Sequence, residues 1–178
     1  LALGRLGAQR QEVHAIRRVQ DRARHGVGLQ AHEPDAVEFA QYPPHCIRGT
    51  SQAETVQALK DLPFADEFRI VHKNSLHPAY GTDLNRWLEE HRGLRAFLVV
   101  GDCTDLCTYQ LVLHLKLTAN ARDEHVHVIV PENCVDTYDL PVGVAQHIGA
   151  MPHDASLLHP LFLYHMALNG AKVVASVR

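Results

Sequence analysis

The run Phe97-Leu-Val-Val-Gly-Asp-Cys-Thr-Asp-Leu-Cys107-Thr constrains the fold more than any other stretch of the chain. Leu94 to Val100 is apolar and stops at Gly101, the pattern of a parallel strand buried on both faces. Thr104 or Asp105 then caps a long helix that reaches about Asn120. A strand that turns tightly into a helix is the unit of an open α/β sheet. Its turn falls at the carboxyl edge of the sheet, where such folds bind ligands.

The flanking sequence repeats that alternation. Gln11 to His25 carries Val13, Ile16, Val19 and Ala23 at helical spacing, and Gly26 stops it. Ser51 to Leu62 reads as a short helix with Ser51 as N-cap and Glu54 three residues on. Glu67 to His72 alternates as a strand, and Thr82 to His91 is helical with Leu84, Trp87 and Leu88 on one face, Trp87 being assigned to the core. Val126 to Val130 is a strand, Pro141 to Ile148 a helix, Asp154 to Asn169 an apolar helix closed by Gly170, and Lys172 to Val177 a final strand. Strand and helix in turn imply right-handed crossovers. The expected fold is a doubly wound, mostly parallel sheet with helices on both faces, in one domain over residues 1–178.

Composition narrows the function classes. With 46% hydrophobic and 21% charged residues the chain is globular rather than disordered. A net charge of −3 gives no basis for nucleic acid or an anionic membrane as partner. No apolar run approaches a membrane span, and Leu1-Ala-Leu-Gly-Arg-Leu-Gly is not a signal peptide, so a soluble protein is expected. Cys46, Cys103, Cys107 and Cys134 are irregularly spaced and have no second pair at zinc spacing. They read as thiols in a reducing cytoplasm.

Cys107 falls in the first turn of its helix, where unpaired backbone N–H groups and the helix dipole favour a thiolate and can hold an oxyanion. Burial as a packing residue is the competing reading for both Cys103 and Cys107.

Gly101-Asp-Cys-Thr-Asp-Leu-Cys-Thr resembles the Gly-x-x-Thr-Asp-x-Cys-Val signature of the isochorismatase-like cysteine hydrolases, which include nicotinamidases; Thr108 is its one departure. The resemblance implies that Cys107 is the nucleophile and that the backbone amides of Cys103 and Cys107 form the oxyanion hole. It also implies a cis peptide at Asp102–Cys103, with Asp102 in the substrate pocket. Ile70-Val-His-Lys73-Asn-Ser-Leu-His-Pro-Ala-Tyr-Gly-Thr-Asp-Leu resembles the segment carrying the family lysine, which makes Lys73 the second catalytic residue. The family aspartate closes the first strand. Gly4-Arg5-Leu6-Gly7 resembles the segment after that strand, so the resemblance places the aspartate ahead of Leu1. A second family strand is expected to be absent as well, because Gly26 to His32 looks too short to contain it.

The Pro-rich loop from Ala31 to Thr50 resembles the family's metal loop, through His32, Glu38-Phe39 and Pro43-Pro44-His45-Cys46. The resemblance implies one divalent metal (zinc, iron or manganese) on His32, Glu38 and His45, with Phe39 lining the pocket. Gln30 stands where the family has an aspartate ligand. The competing reading makes His32 and His45 braces of the loop backbone. The C-terminal segments Thr137-Tyr-Asp-Leu-Pro and Pro152-His-Asp read as scaffold.

Together these implications describe a cysteine hydrolase of a small amide, nicotinamide first, expected to form a homo-oligomer. Its alternatives are isochorismatase-type hydrolysis of another small substrate, and an inactive homologue serving in binding or assembly.

Overall fold

The computed structural model describes residues 25–177. The expected helix over Gln11 to His25 lies outside them except for its last residue, as does the Gly4–Gly7 segment. His25 already belongs to a strand.

That strand, β1 (His25–Gln30), runs parallel to β2 (Phe68–Lys73), with Gln30 opposite Lys73. This corrects the expectation that the stretch is too short for a strand. No separate turn is needed after it: the chain continues extended, Ala31 N–H donates to the Lys73 carbonyl at 2.9 Å, and His32 bridges to Ile47. Gly26 and Gly28 hid the strand, since glycine contributes neither β-propensity nor an apolar side chain.

The expected helix over Ser51 to Leu62 is broken. A 3₁₀ turn at Ser51–Ala53 and the single turn α1 (Gln57–Lys60) flank extended backbone at Glu54. Thr50, not Ser51, precedes the first turn, and its side chain makes no capping bond. After β2 comes α2 (Leu84–Glu90). Trp87 on α2 is half-buried and stacks on His91 at 4.4 Å rather than entering the core.

Next come β3 (Ala96–Leu98) and the short β4 (Gly101–Asp102). A π-helical turn at Thr104–Thr108 then leads into α3 (Tyr109–Ala121). The remaining elements are β5 (His127–Pro131), β6 (Val135–Asp136), α4 (Val142–Ile148), α5 (Ala155–Leu168) and β7 (Lys172–Val174). Among the described residues all strand pairs are parallel: β1 with β2, β5 between β3 and β7, and β4 with β6. The result is an α/β fold, as expected.

The core lies where β5 meets α3 and α5. Val128 and Val130 of β5 are fully buried against Val112, Leu115 and Ala119, which α3 presents at helical spacing, and against Leu163 and Met166 of α5. Asp154 caps α5, accepting from the Leu157 N–H at 3.1 Å. The β3 segment is not buried on both faces as expected: Val99 is 4% exposed, whereas Leu98 and Val100 are each 55% exposed. Alternate side chains point to opposite faces, and among the described residues only the face of Phe97 and Val99 packs on the core. No helix among the described residues is long and apolar enough to cross a membrane.

Candidate active site

Two parallel strand ends carry the reactive groups. Lys73 closes β2, and Cys107 sits in the π-helical turn that follows β4. Lys73 is 4% exposed. Its ammonium donates to Gln30 Oε1 at 2.7 Å, to the Ser75 carbonyl at 3.2 Å and to Cys107 Sγ at 3.4 Å, which uses all three of its N–H groups. Gln30 and the Ser75 carbonyl are neutral. A buried ammonium is costly without a counter-charge, and of these three partners only Cys107 can ionise.

The turn itself is held by its own backbone and by a threonine. Thr108 N–H donates to the Cys103 carbonyl at 3.2 Å, closing a five-residue step, and Thr108 Oγ–H donates to the Gly101 carbonyl at 3.2 Å. Thr108, the one departure from the signature, therefore fastens the turn. The Asp102–Cys103 peptide is cis, at the position the resemblance implies, and Gly101 has φ 122°, a conformation open chiefly to glycine. Neither Thr104 nor Asp105 makes the expected N-cap bond. Buried Thr104 pairs with His159 Nδ1 at 2.8 Å, and Asp105 turns to Thr137 and His153. Burial pushes the Cys103 thiol up from its ordinary range, a bond from Thr137 opposes that, and the charges of Cys107, Asp105 and Asp102 raise it further. Cys103 is thus kept as a thiol beside Cys107.

A cleft of about 460 Å³ opens on Cys107; Gln30, Tyr42, Asp102, Cys103 and Tyr138 help to line it. Burial, followed by the charge of Glu38, raises the Tyr42 hydroxyl, and burial followed by Tyr42 raises that of Tyr138, so both present neutral hydroxyls. His45 reaches the wall of the cleft, but Phe39 does not, contrary to expectation. Its ring packs 5.2 Å from that of His32 and 5.9 Å from that of His45.

The loop residues expected to hold a metal are tied up differently. Asn74 Oδ1 accepts from the Glu33 N–H at 3.0 Å and faces His32 Nδ1 at 3.2 Å, which puts the ring proton of His32 on Nδ1. The lone pair on His32 Nε2 is then taken by the Gln30 amide N–H at 3.0 Å, whose direction is set by Lys73 binding the amide oxygen. His45 donates from Nδ1 to the Pro43 carbonyl at 2.8 Å. Glu38 Oε1 is buried without a partner, while Oε2 accepts from the Leu76 N–H at 3.3 Å. That orphaned oxygen would suit a cation. Yet among the described residues no three His, Cys, Asp or Glu side chains are gathered closely enough to hold one. His32, Glu38 and His45, expected as ligands, do not fit a metal while Gln30 occupies the His32 lone pair.

All four cysteines are free. The family profile described as the isochorismatase domain matches residues 6–159. The chain belongs to the isochorismatase family. Nicotinamidase 1 of Arabidopsis thaliana is 33% identical over 162 residues, covering 84% of this chain and 64% of that protein. This isochorismatase-family chain therefore spans less than two thirds of that relative's length. Among solved structures, a nicotinamidase from Bacillus subtilis superposes with TM-score 0.59 at 24% identity, covering 84% of this chain and 73% of the other. N-carbamoylsarcosine amidase from Thermoplasma acidophilum superposes with TM-score 0.58 at 18% identity, over 86% and 72% respectively. These two likenesses establish the isochorismatase-like three-layer fold.

Thr137, Tyr138 and His153 are site residues that sequence reasoning assigned to scaffold. Each lies more than 25 positions from Cys107 and matches no motif quoted for the family. No signal in the sequence could have brought them to Asp105.

Proposed function

We propose that the chain is a cysteine hydrolase of small amides, organised as one domain, in which Cys107 is the nucleophile and Lys73 holds it as a thiolate. The observation that carries this reading is the buried Lys73 ammonium 3.4 Å from Cys107 Sγ, at the mouth of a cleft. The cation favours the thiolate, as does the N-terminal position of Cys107 ahead of α3.

The thiolate attacks the amide carbonyl to form an S–C bond, and the negative charge passes to the carbonyl oxygen. Backbone N–H groups of Cys103 and Cys107 receive that oxyanion. Its collapse breaks the C–N bond as the nitrogen takes up one proton from the shuttling acid and leaves as ammonia. Water then cleaves the thioester, releasing the acid and restoring Cys107. Among the described residues the Cys107 thiolate accepts from Lys73 alone, while its protonated form can also donate to Gln30 Oε1 at 3.5 Å. The proton shuttle is assigned to the aspartate that the family supplies.

Nicotinamide is the first substrate to test, in keeping with the plant nicotinamidase relative. Tyr42 and Tyr138 supply flat walls for an aromatic ring. Exposed Leu157, Leu161, Tyr164 and Leu168 recur along one stripe of α5 and support a homo-oligomer. A second reading, an inactive homologue that binds without turnover, is favoured by Lys73 contacting an amide where a carboxylate would serve catalysis. Release of ammonia from nicotinamide and a panel of small amides, with and without Cys107→Ala, separates the two.

A further inference from the structure

Asp105 lies two residues before Cys107, and its side chain is 4% exposed. A bare carboxylate there would oppose ionisation of the neighbouring thiol through space. The structure surrounds it with proton donors. Thr137 Oγ–H donates to Oδ1 at 2.6 Å, and His153 Nε2 faces Oδ2 at 2.7 Å. The other ring nitrogen, His153 Nδ1, faces the Tyr138 carbonyl at 2.8 Å. A carbonyl can only accept, so Nδ1 carries a proton. The 2.7 Å contact then holds one proton shared between Nε2 and the Asp105 carboxyl group.

We propose that His153 is a positioning residue whose proton, shared with Asp105, offsets the carboxylate beside the nucleophile, and whose ring locks the Cys103–Cys107 turn to the Tyr138 wall of the cleft. The charged or titratable groups facing His153 are Asp105, Tyr138 and the adjacent Asp154. Tyr138 stacks on its ring at 4.0 Å with planes 18° apart. The backbone closes the same unit: Leu140 N–H donates to the His153 carbonyl at 2.7 Å, and His153 N–H donates back to the Leu140 carbonyl at 3.0 Å. The ring is 10% exposed, so the pair is shielded from salt and solvent. One side chain thus ties the turn that carries Cys107 to the loop that walls the cleft.

This inference rests on Cys107 being the nucleophile, but its test reads thiol reactivity without turnover. The failure of either reading is therefore visible by itself. His153→Gln keeps an N–H donor toward Asp105 and removes the ring that shares its proton; Asp105→Asn in the same chain removes the carboxylate left uncompensated. The probe is iodoacetamide at pH 7, with labelling of Cys107 resolved from Cys103 by fragment mass spectrometry. His153→Gln is expected to label about tenfold more slowly than wild type, and the double variant to recover to within about twofold. Wild-type labelling in His153→Gln, or no recovery in the double variant, overturns the proposal, because a merely structural hydrogen bond would not be rescued by deleting its partner's charge. Nitrogen-15 histidine NMR of the unaltered protein supplies a second readout that does not depend on a variant folding. A proton on Nδ1 of His153 is expected, and an unprotonated Nδ1 would overturn the assignment.

Discussion

The ammonium of Lys73 and the sulfur of Cys107 are 3.4 Å apart, although 34 residues separate them in the chain. β2 delivers the lysine and the turn after β4 delivers the cysteine, so the contact exists only once the fold brings the carboxyl ends of these two strands together. The lysine's other partners are neutral, which makes the thiolate its natural counter-ion.

Lys73→Met keeps the length of the side chain and removes the charge. Amide hydrolysis is expected to fall by about a hundredfold in kcat/KM, the scale of losing one charged participant in the reaction. Steady-state kinetics on nicotinamide checks this, with urea unfolding as a control. Stability should fall, because removing one partner of a buried pair leaves the Cys107 thiolate uncompensated and the Gln30 and Ser75 oxygens without their donor.

Gln30 blocks the metal corner through its amide N–H on His32 Nε2. After dialysis and reloading, wild-type protein is expected to retain less than about a tenth of an equivalent of zinc, iron or manganese by elemental analysis. Gln30→Asp replaces that donor by a carboxylate, frees the His32 lone pair and should raise retention several-fold. A full equivalent in wild type would refute the blocked corner.

His77 and His114 meet edge to face at 5.0 Å, between the loop that follows Lys73 and the middle of α3. Burial lowers His77, and so does the Lys73 charge; burial lowers His114, followed by the charges of His77 and Arg122. Both rings therefore bind protons less readily folded than unfolded. Their contribution to stability is present above about pH 6.5 and is lost as pH falls through the lower, folded values. Melting temperature should drop on going from pH 7.5 to 5.5, and the His77→Asn/His114→Asn double variant should drop less.

Met166 is fully buried between α5 and β5, whereas Leu161 on the same helix is 49% exposed. Met166→Ala should cost about 2–5 kcal/mol by urea unfolding, and Leu161→Ala within about 0.5 kcal/mol. Equal costs would mean that the exposed stripe of α5 is covered in solution.

Much of this architecture was legible where apolar periodicity is strong. The strand before Gly101 and the helices beginning near Tyr109 and Ala155 lie close to where the residue pattern puts them. Cys107 and Lys73 were legible because short motifs carry them. Strand β1 was not, since Gly26-Val-Gly28-Leu has too few side chains to alternate, and its pairing with β2 is a long-range fact. The break between Ala53 and Gln57 was missed because a cap-like Ser51–Glu54 spacing recurs in 3₁₀ turns. The Asp105–His153 pair was invisible because its partners lie 48 residues apart in segments with no periodic pattern. The engagement of His32 by Gln30 depends on which way an amide points, and Lys73 decides that only once the fold has formed.

The central claim is that Cys107 performs covalent hydrolysis of an amide. Ammonia release from nicotinamide and related small amides by the purified chain, compared with Cys107→Ala under the same conditions, tests it most directly. The account predicts measurable release that falls by at least about a thousandfold in the variant. Equal release by both proteins would contradict it, as would no release from any amide by wild-type protein whose Cys107 is intact and reactive.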